Sequence, residues 1–409
     1  MSATPLEAFS AYGIELEYML VDRSRLDVRP IADRILPPSG NLATGGLIDC
    51  SNELVLHVLE IKNPSPGPLE GLATAFQSQV QQLNARLADL DTCLMPTGMH
   101  PWMDPARETT LWPHDEQAIY STYHHLFNCN RHPWANVQSM HINLPFADDA
   151  QFERLLAAVR TLLPILPAIA ASSPLADGRP TGYMDTRMQI YADQSPAQPA
   201  IVGALVPEVV SSQVEYETSV LAPMFKDIEA VDPAHCLRHE WLNARGAIAR
   251  FDRNAIEIRV MDTQECPHAD VALAALVIDL SHLLYQGELA SLEAQQALPT
   301  AALQKLLADC TRDAEWAVID DAQYLSVLGF DGPHCTAQTL WRHLGDVLQN
   351  RGAPHLAIWQ THLQFILQQG PLARRIIRAL DGDYTHAALH ALYAGLVKTL
   401  TDGAPFLPR

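Results

Sequence analysis

Two glutamates, Glu15 and Glu17, stand two residues apart in the apolar run "YGIELEYMLVD" at 12–22. In an extended strand that spacing puts both carboxylates on one face, where like charges repel. The pattern recurs three times. Glu53 and Glu60 lie on or beside the run "LIDCSNELVLHVLEIKNPSP" at 47–66, His141 and Asn143 share a face in "MHIN", and Glu257 and Arg259 share one in "IEIRV". Taken singly, each has a plain explanation: an edge strand facing water, a half-buried histidine, an exposed ion pair worth about 0.2–1 kcal/mol. Four such places on separate strands change the balance. If the strands are neighbours the acids converge, and a converged cluster is stable only with cations. Oxygen-rich surroundings suit Mg²⁺ or Mn²⁺, usually shared with phosphate oxygens. No cysteine–histidine arrangement favours zinc.

Phosphate implies a nucleotide, yet neither G-x-x-x-x-G-K-[ST] nor a G-x-G-x-x-G after a strand is present. A nucleotide would therefore be held by metals and arginines on a sheet. The candidates are Arg187, Arg245, Arg250, Arg253 and Arg259, and Arg259 is the best placed, beside Glu257 on the same face. The histidines of "YHHLFNCNRHPW" (His124, His125, His132) are assigned to a polar loop over the site rather than to a metal.

These side chains need strands to carry them. Alternation predicts strands at 12–22, within 47–66 and at 139–146, and a hairpin within 243–266 that turns at "DRN". Leu69, Leu72, Phe76, Val80, Leu83, Leu87 and Leu90 recur at helical spacing and predict a helix over 69–90. The leucine-rich stretch 152–171 is expected to be helical, kinked or ended by its prolines. From 269 the pattern is helical almost to the end. The expectation is one α+β catalytic unit over 1–409, with a sheet-containing core at 10–268 and a mainly helical portion at 269–409.

The 409 residues are 48% hydrophobic and 18% charged, with 47 acidic against 27 basic residues and a net charge of −20. That balance argues against nucleic acid and anionic membranes as partners. No apolar stretch is expected to reach the ~20 residues of a membrane span; the nearest, 155–171, is broken by Arg160, Pro164 and Pro167. The seven cysteines are scattered, without a C-x-x-C pair, which predicts reduced thiols and a cytoplasmic protein.

In order along the chain, "GIELEYMLVD", "NELVLHVLEIKNPSP", "PTGMHP", "MHINLPF", "ASSPLADGRPTGYMDTR" and "AIEIRVMD" resemble the second glutamate–cysteine ligase family, as does the late "ILQQGPLARRIIRALDGD". The resemblance covers nearly the whole chain. It implies a glutamine-synthetase-like fold: a curved antiparallel sheet with helices on its outer face and a helical C-terminal portion. It also implies that Glu15, Glu17, Glu53, Glu60, His141 and Glu257 bind two or three Mg²⁺ ions that hold ATP. Arg259 would lie against the transferring phosphoryl group. Arg187, Tyr183, Asn63 and Asn143 would serve the substrates, a small-molecule carboxylate and an amine joined through an acyl phosphate.

The chain departs from the family pattern at Leu16, where a third glutamate is usual, at Asn143, where a second histidine is usual, and in "TGYMDTR". Leu16 points away from the metal face. The other two changes are near the substrate end and leave the acid and the amine open. A phosphotransferase of the same fold, a metal-dependent amide hydrolase and a non-catalytic relative are the competing readings. Homo-oligomer contacts through the C-terminal helices stay open. Substituting Glu15 or Glu257 by glutamine is expected to end turnover and leave the fold intact.

Overall fold

The computed structural model describes residues 5–408. Twelve strands occur among them: β1 (Gly13–Asp22), β2 (Asn41–Leu42), β3 (Asp49–Asn52), β4 (Val58–Lys62), β5 (Thr92–Met95), β6 (Ser139–Pro145), β7 (Leu175–Ala176), β8 (Arg179–Pro180), β9 (Ala247–Arg250), β10 (Ala255–Asp262), β11 (Val318–Ile319) and β12 (Cys335–Thr336). One antiparallel sheet runs in the order β2-β3-β4-β1-β6-β10-β9, and β5 also pairs with β1. The expected α+β class and antiparallel sheet are present.

β1 shows how sequence alternation becomes two environments. Ile14, Leu16, Tyr18 and Leu20 are fully buried, in one core cluster with Phe76, Val80 and Leu83 of the helix Leu72–Ala88 and with Leu273 and Leu276 of the helix Pro267–Tyr285. Each large apolar side chain so buried stabilises by roughly 1.5–3 kcal/mol. This cluster runs from Tyr12 to Leu400 and joins the sheet to the C-terminal helices.

The opposite face of β1 changes character along its length. Met19 and Val21 belong to a second apolar cluster with Val58, Met95, Leu372, Ile376, Tyr393 and Leu396. Two late helices, Leu372–Leu380 and His386–Asp402, thus cover that half of the face. Glu15 and Glu17 occupy the uncovered half. Helices therefore lie on both sides of the sheet, and the second layer stops where the acids begin.

Two expectations need correction. The single strand expected within 47–66, from the alternation of Leu54 to Leu59, is instead two: β3 and β4 are separate and antiparallel, with Ser51 opposite Glu60, and 53–57 connects them. Leu54 and Val55 are recruited to apolar packing there instead of strand pairing. The longest apolar helix is not at 155–171 but Pro267–Tyr285, 19 residues long, with an apolar window of mean hydropathy 1.3. Length and composition would let it cross a membrane, but 83% of its apolar window is buried inside the protein. Its all-round apolarity is that of a core helix.

Candidate active site

The uncovered half of the sheet face floors a cavity of about 650 Å³. Three strands, β1, β4 and β10, deliver the acids, and β6 between β1 and β10 delivers His141. In the β1–β4 register Glu17 faces Glu60; in β1–β6 Glu15 faces His141; in β10–β6 Glu257 faces Asn143. Side chains directly opposite on one face lie about 5 Å apart, so pairing alone brings these groups together.

His141 sits at the centre. Its Nδ1 is 3.1 Å from Glu15 Oε2 and 4.0 Å from Glu257 Oε1, and its Nε2 is 3.9 Å from Glu17 Oε1. Ser139, two residues earlier, gives Glu17 Oε2 its backbone N–H at 2.6 Å and its hydroxyl at 3.0 Å. Two sets of potential ligand atoms result, Glu15–His141–Glu257 and Glu17–Glu60–His141, each within 4.8 Å. Mostly carboxylate oxygens with one imidazole, on neighbouring strands, fit a hard divalent cation such as Mg²⁺ or Mn²⁺. Glu53 lines the same cavity from the 53–57 connection but joins neither set.

Local cations hold the charge together. Arg259 Nε donates to Glu257 Oε1 at 2.5 Å and Arg250 Nη1 to Glu257 Oε2 at 3.1 Å. Burial, the largest influence, raises the proton affinity of Glu257, but the charges of Arg259, His141 and Arg250 together outweigh it and hold the carboxyl below its ordinary value. Burial also opposes the charge of Glu15, yet the His141 hydrogen bond and charge, with Lys62 and Arg253, hold it well below the usual range. Of cations, Glu53 feels only the charge of Lys62, which is too weak to offset the rest. Burial first, then the charges of Glu17 and Glu60, push its carboxyl well above the ordinary value. Glu60 is raised by burial and Glu15, against the pull of Lys62.

The expected substrate residues divide. Arg187 lines the cavity, 2% exposed, with its guanidinium anchored on Asp262 Oδ1 at 2.5 Å. Asp262 in turn accepts from Ser172 N at 2.8 Å and Ser173 Oγ at 2.7 Å. Gly98 packs so tightly on Asp262 that a Cβ there would stand 2.4 Å from the carboxylate. Asn143 touches the site only through Glu15, donating to Oε1 at 3.2 Å.

Tyr183 and Asn63 lie off the cavity wall. Asn63 is occupied in tying the start of β1, accepting from Ile14 N at 2.7 Å and donating to Tyr12 O at 2.9 Å. Tyr183 sits in the turn before the helix Thr186–Ala192, its N–H given to Thr181 Oγ1. Of the other arginines, Arg250 and Arg253 reach the cavity, whereas Arg245 is spent on Glu208 in a two-point ion pair.

Sequence reasoning missed a wall. The segment read as a polar loop forms the helices Gln117–Phe127 and His132–Ala135, and they present Tyr120, Tyr123 and Trp134 to the cavity, joined by Trp241. Tyr120 and Tyr123 are three apart, so helical spacing was the available signal. Lys62 was missed too, although it stands two residues from Glu60.

The profile of the glutamate–cysteine ligase family 2 matches residues 11–380. An uncharacterized protein of Archaeoglobus fulgidus is 35% identical over 65% of this chain and 72% of its own. A protein of Bradyrhizobium diazoefficiens with the provisional name glutamate–cysteine ligase 2 is 24% identical over 98% of this chain and 87% of its own. Among solved structures, the glutamate–cysteine ligase of Francisella tularensis in complex with AMP is similar over 96% of this chain and 91% of that one, with a TM-score of 0.60 at 13% identity. The bifunctional glutathione synthetase of Pasteurella multocida gives 0.57 at 16% identity, over 96% of this chain and 52% of that one. At such identities the structural likeness speaks for the fold.

Proposed function

The chain belongs to the glutamate–cysteine ligase family 2 and is a carboxylate–amine ligase-like enzyme, and from that premise we propose that it forms an amide bond with ATP and Mg²⁺ through an acyl phosphate. The observation that carries this reading is the pair of carboxylate sets sharing His141, directly beside Arg259 and Arg250. Glu15, Glu17, Glu60, His141 and Glu257 would hold the divalent cations, and Glu53 lies within reach of the same space. When bound, the cations would supply charge neutralisation for the phosphates of ATP.

Everything else is done by the chain. Phosphoryl transfer asks for positioning and for positive charge at the transferring group. Arg259, fixed by Glu257 and by Asn243 O, offers that charge from a rigid strand. The substrate carboxylate attacks the γ-phosphorus and releases ADP. The amine then attacks the acyl carbon, and inorganic phosphate leaves. Arg187, immobilised by Asp262, is suited to a substrate carboxylate through bidentate hydrogen bonding. The walls of Tyr120, Tyr123, Trp134 and Trp241 limit water at the acyl carbon.

The continuous core from Tyr12 to Leu400 supports one catalytic unit over the chain. Seven unpaired cysteines support a reducing, cytoplasmic setting. Incubation with ATP, Mg²⁺, candidate amino acids and hydroxylamine tests the reaction. A ligase yields a hydroxamate and ADP. A stable phosphorylated product would make the protein a phosphotransferase, and amide cleavage without ATP would make it a hydrolase.

A further inference from the structure

Lys62 follows Glu60 by two residues on β4, so both side chains stand on the carboxylate face. Glu17 lies opposite Glu60 and Glu15 opposite Lys62, a square of three acids and one base. Lys62 Nζ donates to Glu60 Oε1, and Ser51 Oγ donates to the same oxygen at 2.8 Å. Glu60 is also one of the three groups in the Glu17–Glu60–His141 set. One carboxylate is thus claimed twice, by a lysine and by the position where a dication would sit.

The two claims exclude each other. An ammonium against the same oxygens repels an incoming dication, and that repulsion is strong where burial thins the solvent. Glu60 is 5% exposed, whereas the Lys62 side chain keeps 27% exposure on the cavity wall. The carboxylate is fixed by Ser51, and the lysine, on a flexible four-carbon stem, is the partner free to move. Once displaced, its charge would face the cavity, where the nearest unmet demand is anionic oxygen on a substrate.

We propose that Lys62 is the resident counterion of Glu60, gives that carboxylate up when a divalent cation binds, and then contacts phosphate oxygens of the nucleotide. This rests on the metal and nucleotide reading above and adds a step to it. Before cation binding, Lys62 offsets the repulsion among Glu15, Glu17 and Glu60. Afterwards it serves the second ligand.

The test separates cation from nucleotide. Chelator-treated protein is titrated with Mn²⁺ alone, followed by electron paramagnetic resonance of the free ion, and with ADP at saturating Mg²⁺, followed by calorimetry. Lys62→Met should bind Mn²⁺ about thirtyfold more tightly than the native chain, the effect, even at the dielectric of water, of removing one unit charge ~4 Å from a dication. Lys62→Arg should match the native chain for Mn²⁺. Lys62→Met should also bind ADP about fivefold more weakly, by the same arithmetic for a single anionic charge. Lys62→Gln stands in if the methionine variant does not fold. Equal or weaker Mn²⁺ binding by the neutral variants, or unchanged ADP binding, overturns the proposal. Absence of Mn²⁺ binding by the native chain itself overturns the metal reading, and the proposal falls with it.

Discussion

Arg187 and Asp262 form a buried ion pair, Nε to Oδ1 at 2.5 Å, with side chains 2% and 0% exposed. Removing one partner of such a pair strands the other charge in the interior. Asp262→Ala is expected to lower the unfolding free energy by about 3–5 kcal/mol, read from denaturant midpoints. Gly98→Ala, which drives a methyl into the same carboxylate, should destabilise in the same direction.

Glu257 was expected from sequence to be removable without harm to the fold. The structure reverses that expectation, because the carboxylate, though it repels Glu15, is the anchor of Arg259 and Arg250. Glu257→Gln should end ADP formation and also cost about 2 kcal/mol of stability, the range for hydrogen bonds to charged groups. Full activity in this variant would remove Glu257 from the site.

Glu53 behaves in the opposite way. Its carboxyl holds its proton to higher pH folded than unfolded, because burial and the charges of Glu17 and Glu60 disfavour ionisation. Such a group costs nothing below the unfolded pKa and destabilises progressively as pH rises above it. Metal-free protein should therefore lose stability from the ordinary carboxylate range upward. Glu53→Gln should flatten that decline and raise the melting temperature at pH 8, measured by calorimetry.

A dication bound to the folded chain alone adds stability by mass action. Mn²⁺ at tenfold its dissociation constant should add about 1.4 kcal/mol to chelator-treated protein. The thermal shift should shrink when Glu17 and Glu60 are both changed to glutamine, and vanish when Glu15 and Glu257 are changed as well. A shift that survives all four changes would place the cation outside both sets.

Asn63 tests the border between support and site. Its side chain closes hydrogen bonds at Ile14 N and Tyr12 O. Asn63→Ala should cost about 1–3 kcal/mol, the penalty of leaving a buried backbone group unpaired. Substrate KM should stay unchanged, whereas a KM rise with unchanged stability would return Asn63 to the substrate.

What the sequence carried was local. Period-two alternation placed Glu15, Glu17, His141 and Glu257 on strand faces, and the same rule read one step further would have flagged Lys62 beside Glu60. The break between β3 and β4 escaped because Leu54 and Val55 are apolar enough to imitate strand residues. Asp262 escaped because a register shift in β10 between Ile258 and Met261 ends the simple alternation before it reaches that residue. Its partner Arg187 is 75 positions away, and nothing local records such a pairing. The aromatic wall was hidden by the histidines and asparagines among which it is spaced.

β1 shares one edge between two partners: β6 takes it up to Leu16, and β5 takes it from Met19. Glu17 stands at the fork, its carbonyl held by Thr263 Oγ1 at 3.1 Å. The prong made by β5 is packed under the helix His386–Asp402, whose Leu400 carbonyl also accepts from Gln77. Clipping the chain before that helix would therefore do more than shorten its tail. It would unclamp the strand that aims Glu17, so a lesion some 370 residues downstream would register as a displaced carboxylate in the cavity.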